Sequence, residues 1–137
     1  MSNKVLIGGI IASIVVFVLG YLIYGLALKG FFAAETAEGV MRAEEDMVWW
    51  ALIAGHVTMG FLLAIIIGKW ARISTFASGA QAGALIGLLV GLTYNLMNHA
   101  VTTTATLKGG LADAVVTAVI AGIAGGIVGW WMGRDKT

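Results

Sequence analysis

A handful of residues inside otherwise apolar stretches have side chains that can move a proton or hold a ligand. They are His56 in "WWALIAGHVTMG", Tyr94, Asn95, Asn98 and His99 in "LTYNLMNH", and Asp113 in "GGLADAVV". Histidine titrates near neutral pH, and a carboxylate partner favours its charged form, so His99 with Asp113 has the makings of a proton relay. Histidines on two different helices are also the minimum for a bis-imidazole haem site. His56, His99 and Asp113 together would supply three metal ligands. No histidine pair at cofactor spacing and no metal-binding motif accompanies them, so the expectation is no metal and no cofactor. Thr102, Thr103 and Thr104 beside His99 are the nearest approach to an activated nucleophile. Threonine-rich turns at helix ends explain them equally well, and no catalytic residue is expected.

Each polar residue also has a structural explanation. Asp113 suits the positive end of a helix dipole. His99 can bond to Asp113 or to a loop carbonyl. His56, set deeper, needs a partner from the tyrosines (Tyr21, Tyr24) or from Asn98.

These residues must be positioned by membrane helices. The chain has 137 residues, 60% hydrophobic and only 11% charged, roughly half the charged fraction of a soluble domain. Its charges are clustered, leaving apolar runs of about 20 residues or more, enough to cross a bilayer core. Four spans are expected at about 5–28, 47–67, 76–101 and 111–132, forming one integral membrane domain over residues 1–137. With no cysteine, disulfides and thiol chemistry are excluded, and a net charge of +1 makes no case for nucleic acid. The first span resembles a signal peptide in following Lys4. Its run is about twice the usual h-region length and lacks an A-x-A site, so a retained anchor is expected.

Lysine and arginine placement orients the spans. Lys4, Lys69, Arg72, Arg134 and Lys136 fall on one side, against Lys29, Arg42 and Lys108 on the other. Both termini are therefore expected to be cytoplasmic, in an up-down-up-down four-helix bundle. The acidic connection "KGFFAAETAEGVMRAEEDM" is expected outside, as a solvated loop with a short interfacial helix. Glu44, Glu45 and Asp46 would complement the start of the second span.

Small residues recur at every fourth position. The third span carries Gly79, Gly83, Gly87 and Gly91, and the same step reaches Asn95 and His99. The fourth carries Asp113, Thr117, Ala121, Gly125, Gly129 and Gly133; the second, His56, Gly60, Ala64 and Gly68; the first, Gly8, Ala12, Val16, Gly20 and Tyr24. Lipid tails are as apolar as leucine, so membrane helices associate through the close contact that such ridges allow. An antiparallel pairing of the third and fourth ridges predicts His99 opposite Asp113, Asn95 opposite Thr117 and Gly91 opposite Ala121. It then sets Gly87, Gly83 and Gly79 opposite Gly125, Gly129 and Gly133. A row at i+4 drifts about 40° per step around the helix, so a slip of one turn is open. The glycines would close the inner half of the bundle, and the polar groups would hold the outer half apart. The two halves, each a hairpin, are also compatible with a diverged repeat.

"DMVWWALIAGH", "KWARISTFASGAQAGALIG" and "AGIAGGIVGWWMGR" resemble the small four-span bacterial membrane proteins of the DUF1761-like group. The resemblance implies this fold in a bacterial inner membrane, and carries over neither an activity nor a catalytic residue. In size the chain is also similar to the small multidrug transporters, but the key acidic residue of their first span has no counterpart here. Three functional classes follow. The first is a packing or accessory protein, a subunit of a homo-oligomer or a larger membrane complex. The second is a small transporter or channel using an outer polar cavity, and the third a haem or quinone binder. The lipid bilayer is the partner common to all three.

Overall fold

A computed structural model describes residues 2–134, and Lys136 of the basic tail lies outside them. The described chain is helical throughout, apart from its connections. Helix α1 (Asn3–Gly20) continues as a π-helical stretch, Tyr21–Ala27, and a short α2 (Lys29–Ala34) follows. Helix α3 (Trp49–Leu63) likewise ends in a π-helical stretch, Ala64–Trp70. Helices α4 (Phe76–Val101) and α5 (Leu107–Gly133) are α-helical along their whole length. Four helical segments are long and apolar enough to cross a membrane: Asn3–Ala27, Trp49–Trp70, Phe76–Val101 and Leu107–Gly133.

Local chemistry accounts for the ends. Ser2, Thr75 and Thr106 each cap a helix by accepting from a backbone N–H three residues on, which satisfies one of the otherwise orphaned donors of the first turn. Thr106 matters most. It starts α5 four residues before the expected span, so "LKGG" is the first turn of a helix rather than part of a loop. The glycines there serve close approach: a Cβ on Gly109 would lie 2.8 Å from the Glu35 Cβ, and one on Gly110 would lie 3.3 Å from the Asn95 Cβ. The expectation for Glu44, Glu45 and Asp46 needs a similar correction. They form a separate 3-10 turn, and the first turn of α3 contains no acidic residue.

Helix α5 is the centre of the molecule. Half of its most apolar stretch is buried, more than in any other span. It packs along almost its full length on α4, whose buried residues are Gly79, Gly83, Gly87, Gly91 and Asn95. On its other side α5 meets α1, which in turn packs on α3. The α1–α3 contact is close at Gly60, whose missing Cβ would fall 2.5 Å from the Ser13 backbone nitrogen. Ala12, Val16, Leu63, Ile67, Val116, Ile120, Ala121, Ala124 and Val128 form the common core.

The α4–α5 pairing differs from the expected one by about a turn. A Cβ on Gly79 would run into Gly125 and Gly129, one on Gly83 into Ala121 and Gly125, and one on Gly87 into Thr117 and Ala121. Gly91 meets Ala114, and Gly133 meets Ser74. The cause is the early start of α5. With the connection shortened to Thr102–Thr106, the hairpin turns about Thr104, and every partner slides along α5 toward its N-terminus.

The two ends of the molecule differ. At one end Trp131 Nε1 donates to the Lys4 carbonyl at 2.9 Å, the Lys4 ammonium donates to the Arg134 carbonyl, and Arg134 lies 5.0 Å from the Trp130 ring centre. Gly68 packs on Met132 there, and Ile67 reaches Gly125. At the other end α2 and its following turn fold onto the α4–α5 connection. Ala37 N–H donates to Thr104 at 2.8 Å, Thr106 N–H donates to Glu35 at 2.9 Å, and the Thr106 hydroxyl reaches the Glu35 carboxylate at 2.5 Å. Helix α3 makes few contacts with α5 and almost none with α4, except through its π-helical end. The bundle is therefore tight at the Lys4–Arg134 end and parted at the other.

Candidate polar cavity

The site begins with Asp113. Because α5 starts at Leu107, Asp113 lies roughly 9 Å along the helix axis, well past its first turn. A helix-dipole role at the terminus no longer accounts for it. Both carboxylate oxygens are occupied: Oδ1 accepts from the Tyr24 hydroxyl at 2.5 Å, and Oδ2 accepts from Asn95 Nδ2 at 2.7 Å. Neither partner carries a positive charge, and the carboxylate has no salt bridge among the described residues.

Each partner is held by its own helix. Asn95 is buried and donates its second amide hydrogen to the Gly91 carbonyl at 2.8 Å. A carbonyl can only accept, so this contact fixes which end of the amide faces Asp113. Tyr24 lies in the π-helical end of α1, where Leu28 N–H reaches back five residues to Ile23 at 2.7 Å. π-Helical turns are rare and often mark functional positions. The Tyr24 ring also packs on Phe32 of α2, with centroids 5.1 Å apart.

Beside this cluster lies a cavity of about 320 Å³ between α1, α3, α4 and α5. Its polar lining is Tyr24, His56 and Thr117, and Val16, Leu52, Met59, Val90 and Ile120 contribute apolar walls. His56 Nδ1 lies 2.7 Å from the Leu52 carbonyl, and its ring meets the edge of Phe17 at 5.1 Å. Nε2 faces Gly20, where a Cβ would come within 3.2 Å of it. Thr117 donates its hydroxyl hydrogen to the Asp113 carbonyl at 2.8 Å. Every fully buried side-chain nitrogen or oxygen among the described residues has a partner.

The residues singled out from sequence thus separate. Asn95 and Asp113 come together, and His56 borders the adjoining cavity. His99 does not join them: it is exposed near the end of α4, and the expected His99–Asp113 pair is replaced by Asn95–Asp113. The one-turn shift of α5 and the drift of the i+4 row both carry His99 off the contact face. Tyr94 is 66% exposed on the outer face of α4, which sets it apart from the cluster. Asn98 serves the turn, donating to Thr104 Oγ1 at 3.0 Å while its own oxygens accept from Thr102. The threonine cluster is likewise a capped turn. His56, His99 and Asp113 do not converge as metal ligands, and no such group of three occurs among the described residues.

Tyr24 and Thr117 are the site residues that the sequence reading left out of its cluster. Both were visible as the last or second members of small-residue ridges. What the ridges could not convey was that both would meet Asp113, Tyr24 at its carboxylate and Thr117 at its main-chain carbonyl. No family model, curated protein or solved structure matches this chain.

Proposed function

We propose that the chain is a multi-pass protein of a cell inner membrane, and that it binds a small ligand in the outer half of the bilayer. Its four long helices would run up-down-up-down with both termini cytoplasmic. The excess of Lys4, Lys69, Arg72 and Arg134 at the tight end supports this orientation. The glycine contacts of α4 with α5 support a rigid inner half. The resemblance to the small four-span bacterial proteins fits the same architecture and adds no activity.

One observation carries the ligand reading: the parted end contains a cavity with polar groups beside an uncompensated carboxylate. Ionisable residues at membrane depth are costly and mark ligand or ion pathways. A cavity of about 320 Å³ is at the small end of the range for ligand sites. This favours the carrier or transporter class over a pure packing role.

Gly55 provides the test. It lines the cavity, and a Cβ there would meet nothing within 4 Å, so Gly55→Phe fills the space without a backbone clash. Small molecules that co-purify with the native protein are identified by mass spectrometry and compared with those retained by Gly55→Phe. A molecule held by the native chain and lost from the variant is expected. Identical small-molecule content in both, with a second polypeptide retained, would instead establish the accessory-subunit reading.

A further inference from the structure

Hydrogen-bond polarity narrows what the cavity can hold. Every side-chain hydrogen that its polar lining might offer is already donated elsewhere. The Tyr24 hydroxyl donates to Asp113 Oδ1 at 2.5 Å, and the Thr117 hydroxyl donates to the Asp113 carbonyl at 2.8 Å. The Leu52 carbonyl beside His56 can only accept, so Nδ1 carries a hydrogen, and in the neutral form of the ring Nε2 is a lone pair. Backbone N–H groups of the lining helices are taken up in their own ladders. With His56 neutral, the lining therefore presents acceptors without side-chain donors. The Asp113 carboxylate lies one hydrogen bond behind Tyr24, and no lysine or arginine lines the cavity.

We infer that the ligand is a small amphipathic ammonium, whose N–H donors meet Tyr24 Oη, Thr117 Oγ1 and His56 Nε2 and whose apolar body packs on Leu52, Met59, Val90 and Ile120. This rests on the ligand-binding reading above and names its chemistry. A neutral carbonyl compound would face lone pairs with lone pairs. A carboxylate or phosphate would add repulsion from Asp113. A quaternary ammonium would satisfy the charge and leave the acceptors unpaired, and such unpaired groups are what allow a polar site to discriminate strongly.

The test uses the full chain in detergent micelles, stripped of co-purifying molecules, with binding followed by isothermal titration calorimetry. Four probes that share a phenylethyl body are compared: 2-phenylethylammonium, its N-trimethyl analogue, neutral propylbenzene and 3-phenylpropionate. The primary ammonium should bind about ten-fold or more tightly than the trimethyl analogue, since hydrogen bonds to a charged group are at stake. Thr117→Val, which keeps the shape and removes one acceptor, should erase much of that ratio while the fold persists by circular dichroism. Gly55→Phe should abolish binding of every probe. Equal affinity for the primary and trimethyl probes, or tighter binding of the neutral or anionic one, would overturn the inference and leave the ligand-binding reading standing. If no probe binds and Gly55→Phe changes nothing, both fall.

Discussion

The contact between α4 and α5 can be tested at Gly87. Alanine there would place a methyl carbon 2.6 Å from both the Ala121 Cβ and the Thr117 carbonyl oxygen. Non-bonded heavy atoms settle about 3.5–4.0 Å apart, so the two helices would have to separate by roughly 1 Å. Neither obstacle is a flexible side-chain tip; one is a Cβ and the other is backbone. Overpacking of this kind costs about 1–3 kcal/mol. Alanine also raises helix propensity by about 1 kcal/mol over glycine, which would mask part of the loss. Gly55→Ala isolates that gain, because a Cβ at Gly55 meets nothing within 4 Å. The quantity to measure is therefore the difference between the two variants, expected at about 1–3 kcal/mol against Gly87→Ala. Reversible unfolding of the full chain in mixed detergent micelles, followed by circular dichroism, provides it. If the two variants agree to within about 0.5 kcal/mol, the span of an ordinary surface substitution, the close-contact reasoning is wrong.

Three further outcomes are expected. Asp113→Leu removes two intramembrane hydrogen bonds, each worth about 0.6–1.7 kcal/mol, so thermal unfolding in detergent should show a loss of about 1–3 kcal/mol. His99→Ala should shift stability by no more than about 0.5 kcal/mol in the same assay, since His99 is exposed and makes no side-chain hydrogen bond among the described residues. Trp131→Phe keeps an aromatic ring, though a smaller one, and deletes the bond to the Lys4 carbonyl. It should cost about 0.5–1.5 kcal/mol and speed amide hydrogen exchange at the start of α1.

Much of the architecture is legible in the sequence because a bilayer imposes strong local rules. Apolar run length alone separates four helices, and small residues at i+4 steps pick out the contact face of α4, whose buried set ends at Asn95. Serine and threonine caps at Ser2, Thr75 and Thr106 are equally local signals. The importance of Thr106 was obscured because "KGG" resembles a flexible connection.

Sequence by itself thus determined the helical class, the spans and the sticky faces, since each depends on hydrophobicity and spacing within one segment. Tertiary structure decided which polar groups meet. Repositioning the first turn of α5 moved its partners along α4 by about a turn, giving Asp113 to Asn95 instead of His99. The π-helical end of α1 brought Tyr24 onto the same carboxylate. The Leu52 carbonyl fixed the face that His56 shows to the cavity. Register between two smooth ridges is set by the length of the turn joining them, and a hydrogen bond's direction is set by where each proton has already gone.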